Sequence, residues 1–271
     1  MVQSAKSTAP NALKAIDPIW SSIRLEAEEA AANETLLGAF MHSTILNHRS
    51  LEAAVAHRIA ERLDHPDLPA DLIRHAFADM AAQDQDFGTI VRVDIQATYD
   101  RDPACRRYLE PLLYFKGFHA IQAHRLAHWL FNQGKRDMAL YLQSRSSSVF
   151  QTDINPAARI GKGIFLDHAT GLVVGETAVI GDDVSILHSV TLGGTGKEGS
   201  ERHPKIDNGV LIGAGAKILG NIRVGHCSKI AAGSVVLDEV PPMKTVAGVP
   251  AKVVGDSGCA EPSRAMNQLL G

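Results

Sequence analysis

The sequence predicts an α+β chain: an N-terminal all-helical domain over 1–150, a triangular parallel β-helix over 151–255 and a flexible tail over 256–271. Three observations carry this. Apolar residues recur at helical spacing up to about residue 150, the period changes to six from Ile154 onward, and 271 residues suffice for one large domain or two ordinary ones.

In the first half, Leu51, Val55, Ile59 and Leu63 form an i, i+4 stripe with charged residues on the opposite face. Leu72, Ile73, Ala76, Phe77 and Met80 form a second, behind Asp71 as candidate N-cap. Leu112, Phe115, Phe118, Ile121, Leu126, Trp129 and Leu130 follow Pro111, which suits a first helical turn. Gly134 interrupts this pattern before a last helical run to Val149.

Aliphatic residues then open thirteen hexads, at Ile154, Ile160, Leu166, Val174, Ile180, Ile186, Leu192, Ile206, Ile212, Ile218, Val224, Ile230 and Val236. A small or β-branched residue sits four places on, among them Ala158, Thr170, Ala178, Val190, Ala216 and Ser234. Each hexad supplies one short strand and one corner, three make a coil, and the openers stack inward into a continuous aliphatic core. A sandwich with accidental spacing does not give thirteen openings in register. The period is silent on handedness.

Two places break the count. Two extra residues lie within Leu166-Asp167-His168-Ala169-Thr170-Gly171, and a polar Gly-rich loop runs from Gly193 through Lys197 to Lys205. Corner insertions leave the stack intact and are natural places for chemistry. Asp153 precedes His168 by fifteen residues, close to one coil, so their side chains are expected to meet between adjacent coils. A carboxylate on one imidazole nitrogen fixes the tautomer and leaves the other nitrogen as a general base. On spacing alone, a solvated turn histidine fits equally well. Arg202 offers a planar fork for a carboxylate beside His203. A solvated charged loop is the simpler reading of that pair.

Other patterns fail. The Gly193–Lys197 stretch resembles a phosphate loop, but Thr191 and Glu198 stand where that motif needs Gly and Ser or Thr. Gly213-Ala214-Gly215 lacks the third Gly of a dinucleotide fingerprint, because Ile218 occupies that place. His124 and His128 share a helical face without the Glu of a zinc protease and read as packed or solvated. His188 and His226 read as outward-facing hexad residues.

Composition excludes further classes. Lys plus Arg number 27 against 30 Asp plus Glu, a net charge of −3 without the basic excess of a nucleic-acid binder. No apolar run approaches the ~18 residues that span a bilayer. Met1–Pro10 holds no secretion-signal core. Cys105, Cys227 and Cys259 form neither a disulfide framework nor a paired metal motif, which suits a reducing cytoplasm.

The chain resembles the bacterial serine acetyltransferases of the hexapeptide-repeat acyltransferase superfamily. The resemblance covers about residues 15–256. It runs through Arg101-Asp102-Pro103, Pro111-Leu112-Leu113-Tyr114-Phe115-Lys116-Gly117-Phe118-His119-Ala120 and Asp153-Ile154-Asn155-Pro156. It continues through the Asp167–Gly171 segment, Arg202-His203-Pro204-Lys205 and Ala247-Gly248-Val249-Pro250-Ala251. Repeats alone specify the superfamily; their union with the helical half and these two insertions is far more specific.

The resemblance implies a left-handed β-helix and transfer of acetyl from acetyl-CoA to the hydroxyl of L-serine, giving O-acetyl-L-serine for cysteine biosynthesis. It implies Asp153 and His168 as orienting carboxylate and catalytic base. Asp102, Asp167, Arg202 and His203 would hold the amino acid, with His203 also part of the catalytic set. Gly194, Ala214 and Lys229 would lie on the coenzyme groove. No metal is needed, since a thioester is already activated. Feedback inhibition by L-cysteine, a homohexamer built as a dimer of trimers, and sites between adjacent β-helices are further implications. Relatives that bind cysteine synthase commonly end in Ile, whereas this chain ends Asn267-Gln268-Leu269-Leu270-Gly271. That departure leaves open a shortened tail or an unusual complex. The competing readings are a hexapeptide acetyltransferase for a sugar or another amino acid, a trimeric β-helical carbonic anhydrase with three His ligands to zinc, and a β-helical scaffold that binds partners.

Overall fold

A computed structural model of the chain describes residues 17–196 and 199–269. Residues 1–16, Lys197 and Glu198 of the Gly-rich loop, and the terminal Leu270 and Gly271 lie outside the described residues, with the expectations attached to them.

Helix α1 (Pro18–Asn33) starts where the Asp17 carboxylate accepts from Trp20 N at 3.2 Å, and α2 (Gly38–Met41) follows. In α3 (Leu51–Leu63) the expected stripe is fully buried and Ser50 Oγ caps the first turn. Helix α4 (Ala70–Gln83) departs from expectation in two ways. It begins before Asp71, because the Asp64 carboxylate, not Asp71, accepts from the Ala70 amide at 2.7 Å. Ile73, Phe77 and Met80 are buried, but Leu72 is 51% exposed. After α5 (Phe87–Arg101), the stripe expected to form one helix makes two, α6 (Leu109–Leu113) and α7 (Lys116–Asn132). The break has a visible cause. The Leu113 carbonyl accepts from Arg58 (Nη2 at 2.6 Å) and the Leu112 carbonyl pairs with His119 Nε2 at 2.8 Å. Partners from side chains thus replace the backbone bonds a continuous helix would make. Gly134 (φ +76°) separates α7 from α8 (Arg136–Phe150).

The repeats follow as β1 (Thr152–Ile154), β2 (Arg159–Ile160), β3 (Phe165–Leu166), β4 (Leu172–Val174), β5 (Val179–Ile180), β6 (Ser185–Ile186) and β7 (Thr191–Gly193). Then come β8 (Lys205–Ile206), β9 (Leu211–Ile212), β10 (Lys217–Leu219), β11 (Arg223–Val224), β12 (Lys229–Ile230) and β13 (Val235–Val236). They form three parallel faces. The first holds β1-β4-β7-β10-β13 and the second β11-β8-β5-β2. The third holds β3, β6, β9 and β12, extended by the antiparallel pair β14 (Lys244–Gly248) and β15 (Ala251–Asp256). Every hexad opener lies in a strand, and all but the half-buried Ile160 are buried.

One inward position departs from the six-residue count. Thr170 is exposed, and Leu172 fills the interior opposite Thr152. The inserted residues absorb the difference through consecutive left-handed backbone at His168 (φ +57°) and Ala169 (φ +60°), uncommon for residues with a Cβ. Beyond β15 the chain folds back along the third face. There helix α9 (Pro262–Ala265) presents the Ser263 carbonyl to Ser185 Oγ at 2.7 Å.

The two halves are clamped by buried polar groups. Asp94 of α5 is fully buried and accepts from Ile164 N (3.1 Å), Gln122 Nε2 (2.8 Å) and Arg125 Nη2 (2.7 Å). Arg125 also donates to the Gly161 carbonyl at 2.9 Å. Arg101, at the end of α5, donates to Asp183 Oδ1 (2.8 Å) and the Gly163 carbonyl (3.0 Å). This fixes α5, and Asp102 after it, against the first coils. Removing one partner of a buried pair strands the other charge, at a cost of about 3–5 kcal/mol. Asp94→Ala is therefore expected to lose about that much stability in denaturant unfolding. A loss below about 1 kcal/mol would show that the clamp does not hold the halves together.

Candidate active site

The candidate residues gather at two corners of the triangular prism. His168 turns from the third face to the first. Its Nε2 lies 3.6 Å from Asp167 Oδ1, and its ring centroid lies 6.1 Å from that of His188. Burial pushes the Asp167 carboxyl above the usual carboxylate range, the nearby Asp102 carboxylate adds to this, and the two histidines oppose it. Asp102 caps the end of α5 and accepts from Ala104 N at 2.8 Å. Two close carboxylates without a cation repel one another, an arrangement that a bound ammonium relieves.

The expected contact between Asp153 and His168 is not formed. Asp153 accepts from Gln143 Nε2 of α8 at 2.6 Å. The left-handed turn at residue 168 sends the imidazole toward Asp167 and His188 instead.

The second corner, from the first face to the second, carries Arg202 and His203. His203 is 7% exposed. Thr177 Oγ1 accepts from the backbone amides of Arg202 and His203, both at 3.1 Å, which leaves its own proton for His203 Nδ1 at 2.9 Å. The Thr177 amide also donates to Nδ1, at 3.2 Å. Nδ1 is thus an acceptor and the ring proton sits on Nε2. Burial, then Arg202 and Lys205, lower the His203 pKa from 6.5, so the ring stays neutral. The Arg202 guanidinium is held by Glu176 Oε2 at 2.5 Å.

Gly175 makes this packing possible, because a Cβ there would stand 1.9 Å from His203 Nε2. In an NMR pH titration His203 is expected to protonate below 6.5 from the Nε2–H form, and Gly175→Ala, by expelling the ring, is expected to bring it back toward 6.5. The folded chain binds this proton more weakly than the unfolded one. The neutral ring therefore contributes stability at neutral pH that is lost as the pH falls below 6.5. An unperturbed titration in the parent chain would contradict the assigned hydrogen bonds.

Of the candidate coenzyme residues, Gly194 adjoins the His203 corner, its missing Cβ 3.3 Å from both the Arg202 side chain and His203 Nε2. Ala214 lies on the His168 corner, higher up the stack, and Lys229 lies in β12 of the third face, where its Nζ donates to the Leu269 carbonyl at 2.6 Å. One chain does not bring these three together. A cleft of about 530 Å³ lined by Asp183, Asp207, Arg223, His226, Cys227 and Arg264 occupies the remaining corner and contains none of the candidates. Among the described residues, no group of three or more His, Cys, Asp or Glu could hold a metal ion, and no helix is long and apolar enough to cross a membrane.

Sequence reasoning missed Gln143, Thr177 and Glu176, which hold Asp153, His203 and Arg202. Their spacing carries no signal, since each acts across coils or domains. Gly175, directly after the hexad opener Val174, was visible as a glycine but not as the seat of an imidazole. His124 proves to be a packed helix residue, its pKa pushed down to about 3 by burial.

Comparison with known proteins adds independent findings. The family described as "Serine acetyltransferase, N-terminal" matches residues 19–123, and "Bacterial transferase hexapeptide (six repeats)" matches residues 203–238. The chain is 54% identical over 253 residues to the serine acetyltransferase of Escherichia coli K12, covering 93% of each. A structure of serine acetyltransferase from Brucella abortus in complex with coenzyme A is 68% identical, with a TM-score of 0.89 over 90% of this chain and 98% of that one. A serine acetyltransferase in complex with cysteine superposes at 0.91 with 52% identity, over 93% of this chain and 98% of that one. Soybean serine acetyltransferase complexed with serine superposes at 0.85 with 52% identity, over 87% and 97%.

Proposed function

Because the chain belongs to the serine acetyltransferase family, we propose a role for each candidate residue in the reaction it carries out, transfer of acetyl from acetyl-CoA to the hydroxyl of L-serine. The products are O-acetyl-L-serine and CoA, the β-helix is of the left-handed hexapeptide type, and the reaction serves cysteine biosynthesis.

The serine hydroxyl is a weak nucleophile. His168 takes its proton as the oxygen bonds to the thioester carbon; the tetrahedral intermediate then collapses, the C–S bond breaks, and the same proton passes to the departing thiolate. Asp102 and Asp167 hold the serine ammonium. Arg202 pairs with the carboxylate, and the neutral His203 donates its Nε2–H beside it. Asp153 orients the base. Gly194, Ala214 and Lys229 contact the coenzyme. L-Cysteine differs from L-serine by one atom and meets the same Asp102 and Arg202 contacts, so it competes for the site; a relative's complex with cysteine supports this.

The observation that carries the reading is the division of the serine-binding set between two corners. His168 and Asp167 stand on one edge of a triangular prism, Arg202 and His203 on the next. A small amino acid cannot reach both edges of one chain. We therefore place the site where the His168 edge of one subunit meets the His203 edge of its neighbour, a contact that closes as the trimer the family resemblance implies. Residues 1–150 join two trimers into a hexamer and 151–255 carry the chemistry; any contact with cysteine synthase would run through the 256–271 tail, whose ending departs from the Ile of the relatives that make it. The enzyme works in the cytoplasm.

The test is acetyl-CoA-dependent thiol release with a panel of amino acids and sugars. Release is expected with L-serine. Release driven by a sugar and not by serine would overturn the assignment.

A further inference from the structure

The backbone that carries His168 is strained, and strain of this kind needs a holder. The Ala169 amide donates to the Asp167 carbonyl and the Thr170 amide to the His168 carbonyl, each at 2.6 Å. These are two overlapping three-residue turns centred on His168 and Ala169, both at positive φ, the rare and strained form of such a turn. Backbone in these regions persists only where its surroundings over-determine it.

Three restraints meet just beyond His168. The Ser189 amide of the next coil donates to the Thr170 carbonyl at 2.7 Å, and the Gly171 amide donates to the Gln151 carbonyl at 2.8 Å. The third comes from the helical half. Gly117 lets the first turn of α7 lie against β3, because a Cβ there would stand 1.9 Å from the Leu166 carbonyl oxygen. That approach brings Lys116 to the turn, where its ammonium donates to Thr170 Oγ1 and, at 3.3 Å, to Gln151 Oε1. Having accepted from Lys116, the Thr170 hydroxyl points its own proton at the His168 carbonyl, 3.4 Å away. Among the described residues, Lys116 is the one side chain of 17–150 that bonds to the 167–171 turn. Thr170 is exposed and Lys116 half-buried, so the contact lies outside the core.

We propose that Lys116 is a positioning residue for acetyl transfer: its grip on Thr170 keeps the strained turn, and with it the His168 imidazole, where the ring reaches the serine hydroxyl. This rests on reading His168 as the base. Lys116 itself touches no substrate and moves no proton. Without it the turn relaxes toward ordinary backbone and carries the imidazole away from the hydroxyl.

The experiment measures thiol release by Lys116→Met, Lys116→Arg, Thr170→Val and the Lys116→Met/Thr170→Val double variant beside the parent enzyme. A misplacement of about 1 Å can cost about 10²-fold in rate, so Lys116→Met is expected to lower kcat about 10- to 100-fold. The KM values for serine and acetyl-CoA are expected to stay within about threefold, since the lysine makes no substrate contact. Thr170→Val, an exposed and nearly isosteric change, is expected to lose kcat comparably. The double variant is expected to lose no more than the worse single, because both changes break one contact. Lys116→Arg, which keeps a donor, is expected to recover most of the turnover. A kcat within about threefold of the parent in Lys116→Met or in Thr170→Val overturns the proposal. So does a double-variant loss equal to the product of the single losses, or a defect confined to KM. If Lys116→Met fails to fold, Thr170→Val decides by the same threshold. Parental turnover in His168→Ala would instead strike the base assignment, and a parent chain without serine-dependent thiol release would strike the reaction itself.

Discussion

His168→Ala is expected to lower turnover at least about 10²-fold at saturating substrates, the lower bound for losing a general base. Thiol release measures it directly. No other imidazole is placed to substitute, since His188 lies one coil up and His203 stands on another edge with its free nitrogen protonated. The carboxylates refine the test. Spacing nominates Asp153 as the partner that orients the base, yet its carboxylate is bonded to Gln143 while Asp167 lies beside the ring. Asp153→Asn should cost less than His168→Ala if it only orients, with the loss in kcat. Asp167→Asn should raise the KM for serine, because in the proposed site its charge holds the ammonium. Near-normal turnover in His168→Ala would remove the base from the mechanism altogether.

The second large effect is recovery rather than loss. His168→Ala and His203→Ala homo-oligomers should each be nearly inactive. Mixed, unfolded and refolded together, they should regain a measurable fraction of parental activity, because some interfaces then join a native His168 edge to a native His203 edge. Light scattering should report hexamers before and after mixing. Absence of recovery in verified mixed oligomers would place both histidines in the service of one chain, and the shared site would have to be abandoned.

How much of this was legible beforehand follows the range of each interaction. The thirteen hexad openers are a local signal, set by which residue faces inward, and they located every coil strand. The split between α6 and α7 was not legible, because its cause is Arg58, distant in sequence, capturing a carbonyl. The exposure of Thr170, a place where most coils bury a small residue, was not legible either, because the left-handed pair His168–Ala169 shifts the inward place to Leu172. At the site, residue types and the two register breaks pointed to His168 and to Arg202 with His203, which the structure places at two corners of the prism. The tautomer of His203 depends on Thr177, reached only by folding one coil onto the next.

The register of the third face has a consequence for donor choice. With His168 as the proposed base and Ala214 and Lys229 as the proposed coenzyme contacts, each coil adds a fixed increment between acetyl delivery and coenzyme grip, so the solenoid would work as a ruler graduated in units of about 4.8 Å. Inserting one eighteen-residue coil between β8 and β9 would leave the proposed serine-binding residues Asp102, Asp167, Arg202 and His203 in place, yet carry Ala214 and Lys229, the proposed coenzyme contacts, one graduation farther from His168. The acyl carrier would then have to be longer by the same amount. On the proposed site, acceptor identity is written in side chains at the corners, whereas donor length is written in the number of coils between them.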